Sequence, residues 1–132
     1  MEYKYIEPQE LRGWWGTIKP ALEKIRSRGN DGWIVEDVYT DCFNQKSLLF
    51  VLIENNHYQG FFVLQPGGET LHLWAAYSLE NSYEVVENAL KYIKGMAREA
   101  NVKHITFSSY RRGWDRRAAA YGFRPKLWIC EV

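Results

Sequence analysis

Residues 47–77 read SLLFVLIENNHYQGFFVLQPGGETLHLWAAY, and the order of apolar runs and turn residues in this stretch decides the fold. Ser47 to Glu54 is a near-continuous apolar run of strand length, the pattern of a central strand covered on both faces. Asn55-Asn56 supplies a tight turn, and His57 to Gln65 is the returning strand. ProGlyGly at 66–68 makes the next turn, leading into a third strand, Glu69 to Tyr77. The stretch predicts an antiparallel meander of three sequential strands.

Downstream of the meander the period changes. Tyr83, Val86, Leu90, Ile93, Ala97 and Ala100 follow a three-then-four spacing that puts them on one face of a helix over 82–100. Asn81 or Ser82 can cap it. Glu84 and Glu87 fall near its positive end, and Lys91, Lys94 and Arg98 lie toward its negative end. Val102 to Ser108 follows as a strand, so a strand, a helix and a strand imply a right-handed crossover to a parallel neighbour of 69–77. Upstream, Tyr3 to Ile6 is a short strand. Pro8 opens a helical pattern in which Leu11, Trp14 or Trp15, Ile18, Leu22 and Ile25 recur, with Pro20 expected to kink or divide it. Residues 27–32 are loop chemistry, and 33–43 hold a second short helix.

The chain has 132 residues, 46% of them hydrophobic and 16% aromatic, enough for one domain over 1–132 with a real core. No apolar run approaches the ~20 residues needed to span a bilayer. The N-terminal MEYKYIEPQE carries acids and no apolar stretch, unlike a signal peptide, so a cytoplasmic location is expected. The formal charge is +1, which supplies no global field to attract nucleic acid. Cys42 and Cys130 match neither a disulfide framework nor a metal-ligand spacing, and two buried thiols are expected.

Residues 109–125 read SYRRGWDRRAAAYGFRP. Trp114, Ala118 and Tyr121 share one helical face and are expected to dock on the sheet, while Arg112 and Arg116 share an outer one. Gly122 is placed to end this helix in the left-handed conformation. The charge run reads as a solvated helix face, with phosphate binding as the alternative. Residues 127–132 form a last strand.

The element order, together with TyrGlyPhe at 121–123, resembles the GNAT (Gcn5-related N-acetyltransferase) fold. The implied class is α+β: a mixed, mostly antiparallel sheet with one parallel crossover, flanked by helices. More narrowly, ArgArgGlyTrpAspArg at 111–116, the early tryptophans and the segment from Trp33 to Leu64 resemble small GNAT-like proteins encoded by phages and prophages, some of them carried in the virion.

The resemblance implies acyl transfer from acetyl-CoA to an amine, with the cofactor held where the strands at 69–77 and 102–108 splay apart. Family members grip the pyrophosphate with a glycine-rich turn at the start of the long helix. Here that region reads YSLENSYE, without glycine and with Glu80 and Glu84 in it. Tyr77, Ser78, Asn81 and Ser82 would line it, and Arg111, Arg112, Arg116 and Arg117 could replace part of the turn through bidentate phosphate contacts. Ala118 occupies the position of the family's proton-donating tyrosine, and Tyr121 is expected to point elsewhere. His72 and Glu69 are the candidate bases, His72 the better one because an ordinary imidazole titrates near neutral pH. His104 is read as packed or surface-exposed, and Ser108 and Ser109 have no partners that would make them nucleophiles.

Three functions fit these residues. One is a non-catalytic GNAT-like phage protein without cofactor, a virion or assembly component in the host cytoplasm or the particle. It would contact phage structural proteins or itself through its aromatic surface. The second is an acetyl-CoA-dependent N-acyltransferase. The third, local nucleic-acid binding through the arginines and Trp114, is opposed by the near-zero charge. The two missing catalytic signatures place the non-catalytic reading first.

Overall fold

A computed structural model describes residues 1–29, 32–80, 82–108, 114–125 and 130. Its elements follow the order β1 (Glu2–Tyr5), α1 (Pro8–Arg26), α2 (Val35–Phe43), β2 (Leu48–Glu54), β3 (His57–Gly67), β4 (Thr70–Ser78), α3 (Tyr83–Glu99), β5 (His104–Phe107) and α4 (Trp114–Ala120). The strands form one sheet in the order β1-β2-β3-β4-β5. The first three pairings are antiparallel, and β5 runs parallel to β4 after the α3 crossover. This is the mixed α+β architecture that the meander and the following helix predict.

The apolar run of β2 is buried on both sides because helices cover both faces of the sheet. Leu49 and Val51 join Phe61, Val63 and Ala75 beneath Leu11, Ile18 and Leu22 of α1 and Val35 and Val38 of α2. Phe50 and Leu52 face the other way, with Phe62, Leu64 and Leu71 packed against Ile93 and Ala97 of α3. Strand alternation divides these two cores.

Local chemistry sets the turns. Asn55 and Asn56 both have positive φ, 52° and 63°, as a two-residue hairpin of the mirror-image type requires. The second turn is shorter than ProGlyGly suggests: Pro66 and Gly67 stay in β3, paired with Leu71 and Thr70, and the chain reverses at Gly68 and Glu69. Pro66 is tolerated because β2 pairs with β3 only as far as Leu64, so its missing N–H lies beyond that ladder. Gly60 is required by contact: a Cβ there would lie 2.1 Å from the Tyr77 carbonyl oxygen.

Several expectations are corrected. Helix α1 is not divided at Pro20, which sits inside one continuous helix. Pro20 and Gly16, whose carbonyl loses its partner, are both exposed, so water can satisfy that carbonyl while buried Ile18, Ala21 and Leu22 hold the helix to the sheet. On α3, Leu90, Ile93 and Ala97 are buried, but Tyr83 and Ala100 at the two ends are exposed. Ser82 is the α3 cap, its hydroxyl accepting from the Val85 amide at 3.2 Å. Cys42 is buried, and burial pushes its thiol up to about 12, whereas Cys130 is exposed. Gly122, with φ 89°, ends α4 as expected. The side chain of Trp114, Asn81, Arg111, Arg112 and most of the last strand expected at 127–132 lie outside the described residues.

Candidate active site

The parallel ladder between β4 and β5 runs from Thr70↔His104 to Leu73↔Phe107 and stops there. Strand β4 continues to Ser78, still paired to β3. A bulge sits at the point of divergence: Leu73 faces Leu64 and Ala75 faces Val63, so Trp74 is the extra residue. The bulge turns Trp74 and Ala75 both toward the α1 core, where alternation alone would allow one of them.

Beyond that point lies a cavity of about 650 Å³, large enough for a cofactor arm and a small second substrate. Residues His72 to Ser78 of β4 form one wall, and Phe107 and Ser108 at the end of β5 the other. Val85, Val86 and Ala89 from the first half of α3, with Tyr121 and Phe123 after α4, line the side of the α3 core. Lys24, Arg28 and Trp33, from the end of α1 and the loop after it, line the opposite side. The strands at 69–77 and 102–108 do splay, and the cleft between them is open.

His72 is half-buried in this wall. Its Nδ1 is 2.8 Å from Thr106 Oγ1, its cross-strand partner in the parallel register. Burial pulls its pKa below the ordinary histidine value, because it strips hydration from the charged imidazolium. Lying between Leu71 and Leu73, which face the α3 core, His72 points toward the α1 side.

Glu69 is at the other end of β4. Its exposed carboxylate pairs with Lys103 at 3.3 Å, and its carbonyl oxygen accepts from the amides of Lys103 and His104. It is not part of the cavity wall, and the structure does not bring it together with His72. Tyr77 and Ser78 do line the cavity; the Ser78 hydroxyl donates to the Glu80 carbonyl at 2.6 Å. Ser82 sits at the start of α3, with its oxygen engaged in the cap. Arg116 is exposed on α4.

Two features correct or refine the sequence reading. Tyr121, expected to point elsewhere, lines the cavity, and its hydroxyl is buried with no hydrogen-bond partner among the described residues. Lys94 fixes the backbone there by donating to the Tyr121 carbonyl at 3.1 Å. The second is Arg117, whose guanidinium lies 5.0 Å over the ring of Tyr83, the first residue of α3. The helical spacing that separated an arginine face from an apolar one carried no information about which α3 residue would meet it.

No protein-family model matches the sequence, and no curated protein matches it either. Solved structures do match. A probable acetyltransferase is 16% identical with a TM-score of 0.73, covering 100% of this chain and 98% of its own. A predicted acetyltransferase with acetyl-CoA from Clostridium acetobutylicum is 14% identical, TM-score 0.69, covering 99% and 94%. An aminoglycoside acetyltransferase from an uncultured soil metagenomic sample, in complex with sisomicin, is 8% identical, TM-score 0.70, covering 99% and 93%. The chain has a GNAT-like fold.

Proposed function

We propose that this protein is an acetyl-CoA-dependent N-acyltransferase. The single observation that carries the proposal is the open cleft at the β4–β5 divergence with His72 in its wall. The similar structures favour this reading over a non-catalytic, virion-associated one, since they are described as acetyltransferases and one holds acetyl-CoA.

The residues present fit the thioester arm of the cofactor. The α3 side of the cleft is apolar, lined by Val85, Val86 and Ala89, and Tyr121, whose buried hydroxyl has no partner among the described residues, also lines the cavity. The outer end fits a diphosphate less closely. Ser82 already occupies the Val85 amide, and Glu80 and Glu84 are exposed beside it. Arg117, held against Tyr83, supplies positive charge at this first turn of α3. Ser78 and Ser82 offer hydroxyls there.

Bound acetyl-CoA would supply the acetyl group as a thioester, which the acceptor nitrogen attacks with expulsion of the CoA thiolate. His72 takes the proton that the nitrogen loses. When Thr106 Oγ1 accepts from Nδ1–H, the lone pair on Nε2 is left free, and burial favours the neutral imidazole. Tyr121 gives its phenolic proton to the departing sulfur, and His72 returns a proton to the phenolate through solvent. The products are a secondary amide and CoA thiol.

Calorimetric titration with acetyl-CoA tests the proposal. The expected result is a saturable isotherm in the range of ~10–500 μM, typical of enzyme substrates, that Ala89→Trp abolishes by filling the cleft. Absence of binding at millimolar acetyl-CoA, or binding unaffected by Ala89→Trp, overturns it.

A further inference from the structure

We propose that the acceptor is a primary amine carrying an anionic group on a flat apolar body, with the anion held by Lys24 and Arg28 and the body set in the corner formed by Trp33 and Trp74. This inference rests on the acyltransferase reading and adds the class of its second substrate.

The two sides of the cleft differ in chemistry. The side lined by α3 and Tyr121 is where the thioester arm and its diphosphate belong, next to Arg117. His72, Trp74 and Tyr77 face the α1 core instead, and the acceptor nitrogen must reach His72 from there. On that side Lys24 and Arg28 line the cavity, both exposed, and neither forms an ion pair among the described residues. No aspartate or glutamate lines the cavity among the described residues. A polycationic acceptor would therefore meet two like charges and, among the described residues, no counter-charge, whereas an anion would gain two charge-assisted contacts.

The corner between base and cations is aromatic. Trp33 and Trp74 meet edge to face, with centroids 5.6 Å apart. Arg26 fixes Trp33 by donating from Nε to its carbonyl oxygen and from Nη1 to that of Gly29. The bulge lets Trp74 and Ala75 share this side of the sheet. A flat apolar body laid against the two indoles gains buried area at low conformational cost.

The experiment separates the anion from the acyl chemistry. Binding of N-acetylphenylalanine and of its uncharged amide is followed by quenching of tryptophan fluorescence, without acetyl-CoA. Turnover of phenylalanine, tyramine, tyramine O-phosphate and spermidine is followed by release of CoA thiol. The acid should bind at least about 10-fold tighter than the amide, the scale of one charge-assisted contact. Phenylalanine or tyramine O-phosphate should be preferred over tyramine, and whichever is faster tells a carboxylate reader from a phosphate reader. Lys24→Ala with Arg28→Ala should erase the acid's advantage and raise the KM of the anionic amine by about 10-fold or more, while the KM of acetyl-CoA stays put. Equal or undetectable binding of acid and amide, or a preference for spermidine, overturns the inference. So does a double variant that raises the KM of acetyl-CoA instead, because the cations would then serve its phosphates. Acid preference in a protein that fails to bind acetyl-CoA supports the anion subsite and sinks only the acyltransferase reading.

Discussion

At its Thr70 end β4 is held to β5 by a parallel ladder, by the Glu69 carbonyl that accepts from Lys103 and His104, and by the Glu69–Lys103 ion pair. At its Ser78 end the same strand keeps its pairing to β3 but has left β5 behind, and the space is lined by His72, Tyr77 and Tyr121. Of the two candidate bases, Glu69 precedes the ladder, and His72 is paired with Thr106 in its next-to-last rung, at the edge of the opening. Only His72 adjoins the cavity, and burial there lowers its pKa and favours the neutral imidazole. Proton-transfer groups gain their use from where pairing fails, since a fully paired strand leaves no room for a substrate beside it.

The comparison breaks first at His72. His72→Gln should lower kcat by roughly 10²–10⁴-fold, the usual contribution of a positioned base, with little change in the KM of acetyl-CoA. The rate of the parent should rise with pH and level off below the ordinary histidine pKa of ~6.5, because burial lowers the group's value. The same shift affects stability. Between the folded and unfolded pKa values the unfolded chain binds more protons, so stability increases with pH through that window and is lost as pH falls through it. His72→Gln should flatten both profiles, and rate and melting measurements across pH 4–8 check this.

The next effect is structural and lies at the open end. Gly60→Ala places a Cβ 2.1 Å from the Tyr77 carbonyl oxygen and 2.9 Å from Ser78 Cα, so β4 must move. We expect a loss of at least ~2 kcal/mol in denaturant unfolding, together with a raised KM as the cleft wall shifts. Unchanged stability would show that the β3–β4 spacing at this end is looser than drawn.

A smaller effect is expected at Arg117. Arg117→Ala should weaken acetyl-CoA by about 10-fold, equivalent to one charge-assisted phosphate contact, and leave S-acetylpantetheine, which has no diphosphate, unaffected. Equal losses for both ligands would mean that the substitution disturbs α4 packing on Tyr83 rather than phosphate binding.

The smallest effect is predicted at the paired end. Glu69→Gln breaks an exposed ion pair worth ~0–1 kcal/mol and should leave kcat unchanged. A large drop in kcat with an unaltered melt would hand the role of base to Glu69 and reverse the comparison between the two ends.

The meander, the long helix and the parallel return were legible in the sequence because each is a local periodic pattern. Apolar residues in continuous run, in alternation or at three-four spacing report which faces are buried, and Asn55-Asn56 and Gly122 report positive φ. His72 could be named from its chemistry and its strand. Its pairing with Thr106, 34 residues away, and its burial could not. Tyr121 was misjudged, and the contact of Arg117 with Tyr83 missed, for a related reason: spacing along a short helix ranks its faces but does not say what each face meets.

The sequence by itself determined the order, type and sidedness of the elements, since propensity, turn chemistry and hydrophobic period act within a few residues. The tertiary structure decided where β4 and β5 part, that Trp74 turns with Ala75 at the bulge, and that Lys24 and Arg28 meet β4 across a cavity. These depend on contacts between residues far apart in the chain, whose geometry is set by how two separate cores pack against one twisted sheet.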